Sequence, residues 1–332
     1  MKNNIWLDAV MGVVTGDALG CPVQFESRDQ VAQHPVAGMR GYGTFNLPAG
    51  SWTDDSSLTL ALLESLARLG SVDPDDIMNN FMRWLYDGEF TPYGYAYDIG
   101  RGTMQAIRRY KACRKYRSCG GTGESNNGNG SLMRIMPICL YCAAAQKKGG
   151  LSDADAVELV HMTGSLTHAH ICANIACGLY FFMTRALLNG EGTLRGRLSK
   201  GLNEGFAYYE KTLSDHEFLH LYDRLRDLDA FAATPSEEIR SGGYVLHTLE
   251  AAVWTLIATE SLEDALLRVV NLGADTDSTA AVAGGLAGIY YGYGAIPPEW
   301  LEKIKRRDWI ESLAEAANQR FPLTAGESAP EK

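Results

Sequence analysis

Positive charge is in short supply in this chain of 332 residues, where 30 Lys and Arg stand against 40 Asp and Glu for a net charge of −10. That balance excludes a broad footprint on a phosphate backbone, so nucleic acid is not expected as the main partner. A small anionic ligand stays compatible if metal ions and main-chain N–H groups supply the local positive field. Patterned cysteine is missing too. The seven cysteines (Cys21, Cys113, Cys119, Cys139, Cys142, Cys172 and Cys177) are odd in number and scattered. Cys139 and Cys142 have C-x-x-C spacing, but no second cysteine pair or nearby His pair completes a zinc site. Reduced core thiols in a cytoplasmic protein are the expectation. No secretory leader is read, because Asp8 interrupts the apolar stretch after Lys2. The longest apolar run, around 171–183, is too short to span a bilayer, so no membrane partner is expected. Alternating strands, linkers and internal repeats are absent as well. One compact all-α domain over 1–322 is the simplest architecture, followed by a polar, disordered tail over 323–332.

What is present is helical. At 46% hydrophobic residues the chain can bury a sizeable core. Apolar residues at helical spacing predict helices over 5–19, 56–69, 74–84, 100–115, 153–165, 168–189, 192–213, 215–228, 241–258, 262–272 and 278–291. Another opens at Ser131. Gly12 and Gly16 are one turn apart and let another backbone approach closely. Ala280, Gly284 and Gly288 give the last helix a narrow face for tight packing. Glycine-rich stretches at 38–51, 87–97 and 119–130 read as loops.

Two short acidic clusters each open a helix: Thr53-Asp54-Asp55-Ser56 and Asp275-Thr276-Asp277-Ser278. One Asp suffices to cap a helix and complement its dipole, and two together exceed that need. If the clusters meet, four carboxylates repel, and two divalent cations would neutralise them. Hard cations such as Mg²⁺ prefer such oxygen ligands, and a two-metal centre suits hydrolysis at a phosphate- or sugar-rich substrate. Asp275 and Asp277 do not share a helix face, so they converge only if 273–277 is a loop, which Gly273 favours. Ser278 could cap the helix or add a ligand oxygen. An EF-hand is excluded, because Ala280 and Leu286 stand where its loop needs Gly and Glu. A haloacid-dehalogenase-type phosphatase lacks its preceding buried strand.

Three weaker signals remain. The loop 120–130 feeds a helix N-terminus and could aim N–H groups at a phosphate, or be a plain surface loop. His168, after Thr167, could donate one hydrogen bond to a substrate. His216-Glu217-Phe218-Leu219-His220 spells the zinc-peptidase signature. A helix there would put both His on one face, with Glu237 or Glu238 as third ligand. The surrounding Asp215, Asp223, Arg224 and Arg226 read instead as a solvated amphipathic helix.

Six elements in this order resemble the ADP-ribosylglycohydrolase family, which includes the dinitrogenase reductase-activating glycohydrolases. They are Gly16-Asp17-Ala18-Leu19-Gly20 with Phe25-Glu26, Thr53-Asp54-Asp55, Tyr97-Asp98-Ile99-Gly100, Gly128-Asn129-Gly130 with Met133-Arg134 and Pro137, Thr167-His168, and Gly273-Ala274-Asp275-Thr276-Asp277-Ser278. Each is weak alone; together they are specific and run through nearly the whole chain. The resemblance implies an all-α bundle with two Mg²⁺ or Mn²⁺ ions. It implies metal ligands at Thr53, Asp54, Asp55, Asp275, Asp277 and Ser278, the last often Thr in relatives. It places Asp98 and Glu26 near the scissile bond, Asp98 being the first candidate to orient or deprotonate a water. It assigns Gly128, Asn129, Gly130 and Ser131 to the diphosphate and ribose, and His168 to substrate contact. Asn126 and Asn127 stand where some relatives place an aromatic residue for adenine. The implied reaction is hydrolysis of the bond between ADP-ribose and an acceptor. The acceptor expected first is arginine on a protein; serine-linked and O-acetyl-ADP-ribose stay open. H-E-x-x-H has no role in this pattern. Inactive members of such a fold only bind ADP-ribose, but here all four Asp of the two clusters remain.

Overall fold

The computed structural model describes residues 4–323. Among the described residues the regular structure is helical, with three isolated β-bridges between loops. Local chemistry sets the helix ends. Asn4 caps the first helix, Ile5–Gly20, by accepting from the Leu7 N–H. Asp73 caps Pro74–Asp87, with proline at the first helical position. Gly70 and Gly88, both left-handed, end the two helices Asp54–Leu69 and Pro74–Asp87.

Helix Ile5–Gly20 is buried along nearly its whole length and packs most extensively on helix Thr276–Tyr291. The small-residue faces read from the sequence meet here. A Cβ on Gly12 would lie 2.1 Å from the Gly284 carbonyl oxygen, and one on Gly16 would lie 2.0 Å from that of Ala280. Only glycine lets the two backbones touch. Helices Asp54–Leu69, Met136–Lys147, Leu262–Val270 and Arg307–Arg320 pack around the first helix, while Ile171–Asn189 and Val245–Ile257 pack on its partner. The pair therefore forms the axis of the bundle.

Several elements differ from the sequence reading. The helix expected over 215–228 is three short pieces, Glu217–His220, Asp223–Arg226 and Leu228–Ala232. Asp227 restarts the chain by accepting two N–H groups, from Asp229 and Ala230. The helix expected over 241–258 begins only at Val245. The one expected at Ser131 is a 3₁₀ turn, Leu132–Arg134, followed by Met136–Lys147. A C-terminal helix, Arg307–Arg320, is an addition. It is fastened by the Trp6 indole donating to the Phe321 carbonyl (2.8 Å) and by Asn4 donating to Glu315 (2.9 Å). Leu323 is buried, and the rest of the expected tail, 324–332, lies outside the described residues.

Helix Ile171–Asn189 has 19 residues and is long and apolar enough to cross a membrane, which corrects the shorter run read from sequence. It serves as a core helix here, with 83% of its most apolar window buried inside the protein. The seven cysteines are free; six are buried and Cys113 is exposed.

Candidate active site

Three helix ends converge at one end of the bundle: the C-terminus of Ile5–Gly20 and the N-termini of Asp54–Leu69 and Thr276–Tyr291. Asp17 organises them. Its buried carboxylate accepts from the Thr53 N–H (2.9 and 3.0 Å), the Thr53 hydroxyl (3.0 Å), the Ser56 N–H (2.9 Å) and the Ser56 hydroxyl (2.5 Å). Asp17 thus caps the Asp54 helix from a different helix. Thr53, the N-cap by position, makes no capping bond of its own. Its hydroxyl stands 3.3 Å from both Asp55 Oδ2 and Asp277 Oδ2. The Ser278 hydroxyl reaches Asp55 Oδ2 at 3.4 Å. The two acidic clusters meet.

The loop before the second cluster is built on two left-handed residues, Gly273 and Ala274. Ala274 exchanges main-chain hydrogen bonds with the Phe25-Glu26 turn: Phe25 N–H to the Ala274 carbonyl and Ala274 N–H to that of Glu26, both 2.7 Å. Phe25 is itself left-handed. Strained non-glycine backbone held from both sides is common at functional sites. Asp275 accepts from Asn129 at 2.6 Å and Gln24 at 3.5 Å, and its N–H donates to Ser241. The Ser241 hydroxyl donates to the Gly273 carbonyl, while Asn129 and Val245 bond across to Gly243 and Asn127. Segment 241–245 is therefore a strut between loop 127–130 and loop 272–275.

Asp98 joins from a third loop. It is left-handed, at φ 51°, a conformation that Asp tolerates better than most residues. The Tyr97 hydroxyl anchors this loop by donating to the Trp52 carbonyl. Two residues on, the Gly100 N–H donates to Asp54. Asp98 lies within hydrogen-bond reach of Gln24 and of the Asp277 carboxyl.

Six carboxylates thus share one site. Burial raises the pKa of each. Asp17 rises to about 6, its four donors offsetting part of the burial. Asp54, Asp55 and Asp277 rise well above the carboxylate range, and the neighbouring carboxylates add to burial in each case. Hydrogen bonds from Asn129 and Gln24 restrain Asp275. None of the six forms an ion pair with Lys or Arg among the described residues. Asp55 Oδ1, Asp98 Oδ2 and Asp277 Oδ1 are buried with no hydrogen-bond partner. Orphaned, oxygen-only donors of this kind fit hard divalent cations. As the side chains stand, no group of three or more His, Cys, Asp or Glu among the described residues is gathered tightly enough to hold an ion. The fit accordingly rests on donor chemistry.

Three of the six carboxylates reach a cavity of about 280 Å³. Its walls include Asp54, Asp98, Asp275 and Ser278, the glycines Gly100, Gly102, Gly128 and Gly130, and His168. His168 is packed closely between glycines: a Cβ on Gly130 would lie 2.5 Å from its ring, and one on Gly102 2.9 Å from Nε2. Burial lowers its pKa to about 3, with the Arg134 charge adding. Gly128, Asn129 and Gly130 line the cavity. Ser131 does not; its buried hydroxyl accepts from the Cys177 thiol. Glu26 is half-buried and meets the site through its main chain, while its neighbour Phe25 lines the cavity.

His216 and His220 are elsewhere. His216 precedes a helix of four residues and contacts the Glu210 carbonyl at 3.1 Å; exposed His220 pairs with Asp223 at 3.0 Å. The zinc-peptidase reading needs both rings turned to one ion, and here they take different partners, the Glu210 carbonyl and Asp223. His216→Ala is expected to leave glycohydrolase activity within about two-fold of wild type, the usual result for a surface change away from a site. A folded His216→Ala protein without activity would restore that reading. A larger cleft of about 570 Å³, beside His161 and Tyr209, offers a single carboxylate, Glu158.

The family model described as ADP-ribosylglycohydrolase matches residues 4–327. The ADP-ribosylarginine hydrolase Tri1 of Serratia proteamaculans (strain 568) is 32% identical over 310 residues, 92% of this chain and 77% of that protein. The ADP-ribosyl-[dinitrogen reductase] glycohydrolase of Rhodospirillum rubrum is 30% identical over 300 residues, 90% of this chain and 89% of that protein. A solved structure titled ADP-ribosylglycohydrolase-related protein complex superposes with a TM-score of 0.74 at 32% identity, covering 96% of this chain and 98% of that one. With its helical bundle, its paired acidic helix starts and a match along its length, the chain belongs to the ADP-ribosylglycohydrolase family.

Proposed function

We propose that this chain hydrolyses the glycosidic bond between ADP-ribose and an acceptor, foremost arginine on a mono-ADP-ribosylated protein, with two Mg²⁺ or Mn²⁺ ions as cofactors. The observation that carries the reading is a cluster of six carboxylates, of which Asp55, Asp98 and Asp277 have orphaned oxygens and Asp54, Asp98 and Asp275 line a glycine-walled cavity. The ions would be held by Thr53, Asp54, Asp55, Asp275, Asp277 and Ser278, and bound there they supply charge to fix ribose hydroxyls and polarise a water. Asp98 is the group to take a proton from the attacking water, since its Oδ2 lacks a partner. The water oxygen bonds to the anomeric carbon as the bond to the acceptor breaks, through an oxocarbenium-like state, and the departing nitrogen takes up the proton that Asp98 removed from the water. Glu26, on the turn beside the cavity, is the second candidate for moving a proton. Gly128, Gly130 and the first turn of helix Arg101–Cys113 line the cavity and can offer main-chain N–H groups to a diphosphate, the Asn129 N–H being spent on Gly243.

The arginine acceptor has support from the cavity mouth. Phe25 lines it, is 67% exposed, and meets Phe45 edge-on, which packs against Tyr97. A flat guanidinium suits an aromatic face beside carboxylates. The name of the Serratia relative, an ADP-ribosylarginine hydrolase, points the same way. A cytoplasmic setting, without a membrane or nucleic-acid partner, belongs to the proposal.

The test is release of ADP-ribose from arginine- and serine-linked mono-ADP-ribosyl peptides, with Mg²⁺ or with EDTA. Release from the arginine peptide that EDTA stops is expected. Release from the serine peptide alone would move the acceptor. No release from either, with metal bound, would overturn the reading in favour of a binding role or another ADP-ribose derivative.

A further inference from the structure

Arg134 is fully buried with no carboxylate partner, and its guanidinium lies over the Phe81 ring at 4.7 Å. Two of its nitrogens, Nε and Nη1, have no hydrogen-bond partner. Burial lowers its pKa to about 10, which leaves it charged at neutral pH. Its shortest bond runs from Nη2 to the Thr167 hydroxyl oxygen, at 2.8 Å. That hydroxyl in turn stands 2.9 Å from His168 Nδ1. A guanidinium can only donate, so Thr167 Oγ1 accepts from Arg134. The hydroxyl proton has one acceptor in reach, His168 Nδ1. Were Nδ1 to carry the proton instead, a buried hydroxyl hydrogen would be left unpaired, which costs free energy.

We propose that Arg134 and Thr167 are positioning residues that lock His168 as the neutral tautomer with its proton on Nε2, so that the cavity presents a fixed N–H donor. Nε2 lies toward the space that Gly102 and Gly130 leave open. A donor that never ionises holds a ligand oxygen in one orientation across the neutral pH range. Only the identity of that oxygen, on ADP-ribose, rests on the function proposed above; the tautomer does not.

The experiment is nitrogen NMR of the full chain with ¹⁵N-labelled histidine, His168 being assigned by its loss in His168→Gln. Wild type is expected to show a bare Nδ1 and a protonated Nε2 that do not titrate between about pH 5 and 8, where ordinary histidines do. Thr167→Val should mix the tautomers and weaken binding of free ADP-ribose, measured by calorimetry, about ten-fold, the loss of one neutral hydrogen bond. Thr167→Ser should restore both. A proton on Nδ1 in wild type overturns the proposal, as does a folded Thr167→Val with wild-type tautomer and affinity. If Thr167→Val does not fold, the wild-type spectrum decides alone. If wild type does not bind ADP-ribose, the proposed substrate fails while the spectrum still judges the relay.

Discussion

Asp277→Asn is expected to lower turnover by at least about 10²–10³-fold, the loss seen when one preorganised electrostatic group leaves a site, and yet to raise the stability of the metal-free protein. Both signs come from the same carboxylate. Asp277 is fully buried, its Oδ1 has no partner, and Asp55, Asp275, Asp98 and Asp17 all press its pKa upward after burial does. A carboxylate raised in the folded state makes that state bind more protons than the unfolded chain. Its contribution is complete below the ordinary carboxylate value of about 4 and is lost as pH climbs through the folded value. With Asp17 at about 6 and Asp277 well above the ordinary range, the melting temperature in EDTA should fall steadily from about pH 4 through pH 7. Saturating Mg²⁺ or Mn²⁺ should flatten that slope, because ions that bind only the folded state stabilise it. Asparagine keeps the shape and removes one charge. Each pKa unit relieved is worth about 1.4 kcal/mol, or roughly 2 °C in a domain of this size. Asp55→Asn should behave alike. Thermal melts against pH, with and without metal, read the stability arm, and peptide hydrolysis reads the other. A fully active Asp277→Asn enzyme would sink the two-metal reading.

How far the site was legible depended on whether a residue's local role could account for it. Asp54-Asp55 and Asp275-x-Asp277 stood out because a helix start needs one acid and each had two. Asp98 and Glu26 carried no such surplus, and only the family resemblance raised them. Asp17 was visible within the Gly16-Asp17 motif but its role was not. Its signal was a carboxylate in the last turn of a mostly apolar helix that is buried on nearly every side. The strut at 241–245 was read as helix because apolar spacing carries on from Val245, although Gly242-Gly243 breaks it. The C-terminal helix escaped notice since only Ile310, Ala314 and Ala317 of its residues are buried, too thin a stripe to register as periodic. H-E-x-x-H failed in the opposite direction. Its spacing is meaningful only on a helix, and Asp215 and Asp227 spend their side chains on nearby N–H groups, cutting the segment into short turns.

Gly16→Ala should destabilise the protein by roughly 5 °C or more, although alanine is the better helix former by about 1 kcal/mol. The added methyl would sit 2.0 Å from the Ala280 carbonyl oxygen, 2.4 Å from its carbon and 2.9 Å from the Ala281 nitrogen. All three are main-chain atoms of helix Thr276–Tyr291, so no side chain can swing aside; the two axial helices must separate. Separation reaches the site at once. Asp17 follows Gly16 and holds Thr53, whose hydroxyl spans to Asp55 and Asp277 at 3.3 Å. Further along, the Thr276 hydroxyl donates to the Gly20 carbonyl at 2.8 Å. Carboxylates drawn apart should bind divalent ions more weakly, so the metal concentration for half-maximal activity should rise even where Gly16→Ala is fully folded. Gly294→Ala is the control, since nothing stands within 4 Å of its added carbon. It should melt within about 1 °C of wild type, as surface substitutions usually do. If Gly16→Ala melts with the control, the two helices are not in backbone contact, and the close approach that brings the acidic clusters together is wrong. If it melts low but keeps the wild-type metal requirement, the axis is as described and the site is held by its loops instead.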